Sequence, residues 1–141
     1  MVARAKELNA DLPNAEFREA DFMEYPLEER SLDFISALAV LHHVPLEPAL
    51  ERLRTALRLG GVLAILGLYR VRTPIDLVVT AMAVPVNRMY LLAHGHHEYP
   101  PPVAPASMSL ADIRRSIRRV LPDAKVRRHL LWRYSLIWRL P

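Results

Sequence analysis

The chain has 141 residues, 52% hydrophobic and 24% charged, a length for one domain and a balance that excludes intrinsic disorder, a collagen-like chain and a coiled coil. It contains no cysteine, which excludes a disulfide framework, a thiolate zinc site and a cysteine nucleophile. Its net charge of +4 is unevenly spread: residues 1–60 hold 7 basic and 11 acidic side chains, residues 112–141 hold 9 and 2, so the tail is basic and an anionic partner is one reading of it.

Residues 1–9 place Val2, Ala5 and Leu8 at helical spacing, without the apolar core and cleavage site of a secretory signal, so a cytoplasmic location is expected. Ala15 to Ala20, centred on Phe17, reads as a short strand. Ser31 to Val40 is almost continuously apolar, the pattern of a strand buried on both faces of a parallel sheet. Pro45 and Pro48 set a helix start, and Leu46, Ala49, Leu50, Leu53, Ala56 and Leu57 repeat at helical spacing until Gly60-Gly61 stops it. Residues 62–69 form a second apolar strand, so 32–69 is one strand–helix–strand crossover and the fold class is α/β.

Ile75 to Ala93 is apolar but interrupted by Asp76, Pro85, Asn87 and Arg88, which predicts one or two helices broken near Pro85 and no membrane span. Residues 94–107 are rich in His and Pro and read as an extended loop. Ser107 or Ser109 caps a helix carrying Leu110, Ile113, Ile117, Val120 and Leu121, stopped by Pro122-Asp123. Segments 125–131 and 134–140 form an antiparallel hairpin about Trp132-Arg133.

Three stretches carry a resemblance to a known family. Phe17-Arg18-Glu19-Ala20-Asp21-Phe22, then Leu32-Asp33-Phe34-Ile35 running to Val40-Leu41-His42-His43-Val44, then Leu57-Arg58-Leu59-Gly60-Gly61-Val62-Leu63, resemble in order the third-strand acidic loop, the fourth strand with its turn, and the fifth strand of class I S-adenosylmethionine-dependent methyltransferases, of the small-molecule, quinone-biosynthesis-like type. The family's sheet runs 3-2-1-4-5-7-6 and binds its cofactor at the carboxyl edge. The resemblance implies that S-adenosylmethionine is the cofactor, that Asp21 accepts from the adenine amino group, that the Phe22 N–H meets a ring nitrogen, and that Leu38 and Ala39 line the methionine end. It further implies a small-molecule methyl acceptor, with residues 70–107 forming a lid or acceptor-site insertion shaped by Met82, Met89, Tyr90 and Tyr99. The family opens with a strand, a glycine-rich loop, a helix and a second strand ending in an acid for the ribose hydroxyls. Gly60, Gly61, Gly67 and Gly95 are the only glycines here, none so placed. The implied fold is therefore a partial, N-terminally truncated Rossmann-like domain, a mainly parallel sheet with a C-terminal antiparallel hairpin, lacking the first two strands. Activity of such a fragment is not expected to match that of an intact domain.

Each polar candidate has a plainer reading beside the sharp one. Asp33 at the start of a strand points to local pairing rather than catalysis. His42 and His43 have the titration range of a general base, but the pair recurs in the family as a structural turn, so no catalytic residue is assigned. His94, His96, His97 and Glu98 have poor spacing for a tetrahedral metal set, so no metal is expected. Arg114, Arg115, Arg118 and Arg119 lie opposite the apolar stripe of their helix, which a solvated face explains without nucleic acid. The alternative to an enzyme is a methyltransferase-derived interaction module whose exposed sheet edges pair with another chain or copy and whose basic C-terminal surface meets an anionic partner.

Overall fold

The computed structural model describes residues 2–95 and 105–141, the His94 side chain excepted. Helix α1 (Val2–Leu8) opens the chain, and an irregular stretch leads to strand β1 (Leu32–Leu38). A 3-10 turn (Leu41–His43) leads into helix α2 (Leu46–Ala56), strand β2 (Leu57–Leu68) and helix α3 (Pro74–His94). Helix α4 (Leu110–Val120) and the hairpin strands β3 (Lys125–Arg128) and β4 (Arg133–Arg139) complete the fold. The sheet order is β1-β2-β4-β3, which matches the 4-5-7-6 half of the order implied by the resemblance. β1 and β2 are parallel, whereas β2–β4 and β4–β3 are antiparallel. The α/β class and the C-terminal hairpin stand; the sheet is mixed, its parallel part confined to one joint.

The strand expected around Phe17 does not form: residues 15–20 are irregular. A strand with no neighbour on either side has nothing to receive its N–H and C=O groups, and water takes them instead. The same cause overturns the expectation that β1 is buried on both faces. Ala37 is its one buried residue, while Phe34 and Leu38 are 60% and 63% exposed. Ile35 and Ala37 share a face with Leu63, Ile65, Leu136 and Trp138, and the core that includes α2 and α4 covers that face alone. Leu50, Leu57, Leu63, Ile117 and Leu136 are fully buried in it, each contributing roughly 1.5–3 kcal/mol.

Gly60-Gly61 does not stop α2. The helix ends at Ala56, Leu57 is already extended, and the pairing slips between Leu32↔Leu57 and Phe34↔Val62, leaving a bulge on β2. Gly60 sits in that bulge at φ +76°, a left-handed conformation glycine takes freely, and its N–H donates to the Leu140 carbonyl at 2.8 Å. Gly67 serves packing, since a Cβ there would enter the Tyr134 ring.

Pro85 does not break α3, which runs unbroken for 21 residues. Pro85 denies a hydrogen bond to the Ala81 carbonyl, and both residues are exposed, so solvent meets that carbonyl. α3 is thus long and apolar enough to cross a membrane by length and composition, although little of it is buried against the domain. It is tied down at its first turns. The Thr73 side chain accepts from the Asp76 N–H, and Asp76 Oδ2 accepts from the N–H groups of Thr73 (2.8 Å) and Arg72 (3.0 Å). Its Oδ1 makes no hydrogen bond among the described residues but faces the Arg128 guanidinium at 2.9 Å. One helical turn on, Thr80 Oγ1 accepts from Trp132 Nε1 at 2.9 Å. The hairpin turn that carries this tryptophan centres on Leu131-Trp132, one residue earlier than expected, both at left-handed φ (59° and 58°) as a tight hairpin turn requires.

Ser109 caps α4 as expected, its side chain accepting from the Asp112 N–H. Arg115 of α4 pairs within the helix with Asp112, and Arg119 pairs across to Glu47 of α2.

Candidate functional site

The acidic turn is built by local hydrogen bonds. Asp21 Oδ1 accepts from the Met23 N–H at 2.7 Å, and the Asp21 carbonyl accepts from Glu24 N–H (3.2 Å) and Tyr25 N–H (2.8 Å). An Asp that closes its own turn in this way is the ordinary work of the side chain. What places the turn against the domain is Arg52 of α2. Its guanidinium donates to the Tyr25 carbonyl and lies 5.9 Å from the centre of the Phe22 ring. The sequence pattern marks Arg52 only as a polar helix position, so this positioning role went unread until tertiary contacts were known.

Phe22 forms one wall of an apolar cleft of about 270 Å3, whose other lining includes Leu27, Ile35, Ala37, Val40 and Leu41. The cleft runs along β1 toward its carboxyl end. There Ala39 takes a left-handed φ of 52°, its N–H donating to the Leu66 carbonyl at 2.7 Å, and the chain turns sharply out of the sheet into Leu41–His43. Phe22 and Val40 therefore wall the cleft, while Asp21 and Ala39 each stand one residue before a wall residue and do not line it themselves. Leu38 points to the opposite, open face of the sheet, so it does not join them. Leu27, Ile35 and Val40 are lining residues to which the resemblance gave no site role; the alternation of Ile35 with Phe34 and of Ala37 with Leu38 held the signal for Ile35.

A larger hollow of about 650 Å3 lies elsewhere, walled by Glu29, Arg30, Glu51, Arg54 and Leu59 among others. It sits at the amino ends of β1 and β2, whereas open α/β sheets bind ligands outside the carboxyl ends. The smaller apolar cleft is therefore the candidate.

His42 lies on the turn after β1. Burial, and then the neighbouring His43, push its pKa below the ordinary imidazole value, and its Nδ1 is buried with no hydrogen-bond partner among the described residues. The two imidazole rings lie 3.9 Å apart, centre to centre. This geometry agrees with a structural turn. Asp33 pairs across the sheet rather than locally, both carboxylate oxygens accepting from Arg58 of β2 at 2.8 and 3.1 Å. Met82, Met89 and Tyr90 are exposed on α3 and do not line the cleft. Tyr99, His96, His97 and Glu98 lie outside the described residues, and no metal-holding cluster occurs among the described ones.

The site fits the nucleobase end of an adenosine-type cofactor. An apolar slot takes a flat ring; the Asp21 carboxylate, exposed one residue before the slot wall, is an acceptor for an exocyclic amine; and the Phe22 N–H is used by no hydrogen bond among the described residues. For the ribose and methionine ends the chain supplies less. None of its four glycines makes a strand-to-helix turn, since Gly61 and Gly67 lie within β2, Gly60 in its bulge and Gly95 at the end of α3.

A methyltransferase-domain family model matches residues 1–65. Uncharacterized methyltransferases of Mycobacterium tuberculosis and Mycobacterium bovis are 30% identical over 152 aligned residues, which cover the whole of this chain and 72% of each relative. Among solved structures, an S-adenosylmethionine-dependent methyltransferase from Aquifex aeolicus superposes with a TM-score of 0.58 at 16% identity, over 99% of this chain and 62% of that one. The CMeT domain of the citrinin polyketide synthase gives 0.61 at 17% identity, over 99% of this chain and 36% of its own. These two likenesses bear on the fold, and the mycobacterial relatives bear on descent. On that descent, on the 4-5-7-6 strand order and on the acidic turn beside an apolar slot, the chain belongs to the class I S-adenosylmethionine-dependent methyltransferases.

Proposed function

We propose that this domain acts in transfer of a methyl group from S-adenosylmethionine to a small, apolar acceptor, and that the residues present supply the adenine side of the cofactor site. The reading is supported by one apolar cleft along β1 walled by Phe22 and Val40, with Asp21 one residue before the first and Ala39 one residue before the second. When bound, the cofactor supplies an electrophilic methyl carried on a sulfonium. The chain's own part is binding and exclusion of water: Asp21 accepts from the amine, Phe22 and Val40 enclose the ring, and Arg52 holds the turn in place. No protein nucleophile is needed, because the acceptor attacks the methyl. The segment 70–107 serves as the acceptor-side cover, its α3 following β2 at the carboxyl edge.

Backbone approach through a glycine turn and a carboxylate on the ribose are strong contacts in this fold, so the chain alone binds the cofactor orders of magnitude more weakly than one carrying the family's front unit. Isothermal titration of S-adenosylmethionine tests this. Little heat is expected for the chain, and clear binding for the same chain joined at its N-terminus to the strand–glycine loop–helix unit of the family, weakened about tenfold or more by Asp21→Ala. Equal failure of both proteins would overturn the reading. The open edge of β1 favours a second reading, an interaction module that pairs this strand with another chain. A well-folded monomer at high concentration in size-exclusion chromatography counts against it.

A further inference from the structure

The polarity of α3 is inverted. Asp76, Thr80, Ala83 and Asn87 line the side toward the domain, with Asp76 only 1% exposed. The outward side carries Ile75, Leu77, Val78, Met82, Val84, Val86, Met89 and Leu92, each roughly half or more exposed, with Arg88 as its one charge. A surface helix of a water-facing domain shows the reverse arrangement, and a continuous apolar face of this extent marks a docking surface.

Charge decides what docks. Residues 70–95 and 124–141, which contain α3 and the hairpin that holds it, carry eight Lys and Arg against a single acid, Asp76. That acid is buried and paired with Arg128. Arg88 lies on the outward side of α3, and Arg70, Arg72, Arg127 and Arg133 are exposed on the segments that flank it, Arg72 near Asp112 of α4. A second copy meeting this face across a two-fold axis would set those arginines against their own counterparts, which costs free energy. An anionic lipid surface takes both features together, the apolar side chains entering the acyl boundary and the arginines meeting head groups.

We infer that the outward face of α3, with Arg88 and the basic segments that flank the helix, seats the domain on an anionic membrane surface. The helix lies in the plane rather than across the bilayer. Asp76 is bound into its capping box and to Arg128, Thr80 is bound to Trp132, and a crossing would pull both out of the domain and strand the carboxylate in lipid. The inference stands on α3 and its charges, not on the cofactor site, so cofactor titration and lipid binding fail independently.

Co-sedimentation of the whole chain with vesicles tests it, using phosphatidylcholine alone and phosphatidylcholine mixed about equally with phosphatidylglycerol. The chain is expected to sediment with the anionic vesicles, less so as salt rises. Met82→Glu and, separately, Met89→Glu are expected to weaken the partition about tenfold or more, each checked for folding by circular dichroism. Leu59→Glu, at an exposed apolar position at the amino end of β2, is expected to leave it unchanged. Absence of sedimentation with anionic vesicles overturns the inference, as does partition indifferent to both methionine variants. A dimer in sedimentation velocity that Met82→Glu dissolves, with no vesicle binding, overturns it in favour of a second copy on this face.

Discussion

Gly67 shows how a single missing Cβ can serve packing rather than cofactor approach. It lies in β2 opposite Tyr134, whose buried ring covers the space where a side chain would stand, and burial pushes the phenol up to about 12. Gly67→Ala forces that ring or the strand to move and is expected to cost about 1–3 kcal/mol in urea unfolding, whereas a neutral result would mean the ring repacks freely. His42 carries a pH prediction. Its folded pKa lies below the unfolded value of about 6.5, so the fold favours the neutral ring. The stability tied to this group is complete above that pH and is lost as pH falls through the folded value. His42→Leu should flatten the loss of thermal stability below about pH 6.5; an unchanged slope would assign that loss to other groups. Neither residue's role stood in its immediate sequence. Gly67 needed the register of β4, and the lone buried Nδ1 of His42 needed the packing of the turn.

At the scale of elements, α3 depends on one carboxylate. Burial raises the pKa of Asp76, but the N–H groups of Arg72 and Thr73, the Thr73 side chain and then Arg128 more than offset it, so the net shift is downward. A lowered carboxylate pKa means a contribution complete above the unfolded value of about 3.9 and lost as pH falls through the lower folded value. Asp76→Asn keeps an acceptor for the cap but leaves Arg128 without its counter-charge, and is expected to cost about 2–3 kcal/mol, visible as a lower Tm at neutral pH that converges with wild type in strong acid. In the sequence Asp76 reads only as an interruption of an apolar run; its capping box with Thr73 and its partner Arg128, 52 residues further on, came with the structure. Pro85 teaches the opposite lesson: a residue that reads as a break is tolerated where the carbonyl it deprives lies on the exposed side of a helix.

At the scale of the molecule, the sheet is supported unevenly. β2 has hydrogen-bonded neighbours on both sides, β1 on one, and residues 10–30 lie outside the sheet. Amide hydrogen exchange is therefore expected to be slowest in β2 and β4, faster in β1, and fastest before Leu32. Protection of β1 equal to that of β2 would reveal a further partner on its open edge. The hydrophobic core closes over one face only, which leaves Phe34, Leu38 and Ile137 outward.

The amino-acid sequence alone determined the order of elements from Leu32 onward, the crossover between two apolar runs and the capped arginine helix, because each follows from periodicity or from a hydrogen bond made within a few residues; the acidic loop at Asp21 came from the family resemblance. Tertiary structure alone decided whether Ala15 to Ala20 could be a strand, where α2 gives way to β2, which side of α3 meets the domain, and how Arg52 sets Phe22 against β1. Those outcomes turn on whether a distant segment is present to accept a hydrogen bond, a charge or an apolar face, and short-range pattern carries no record of that.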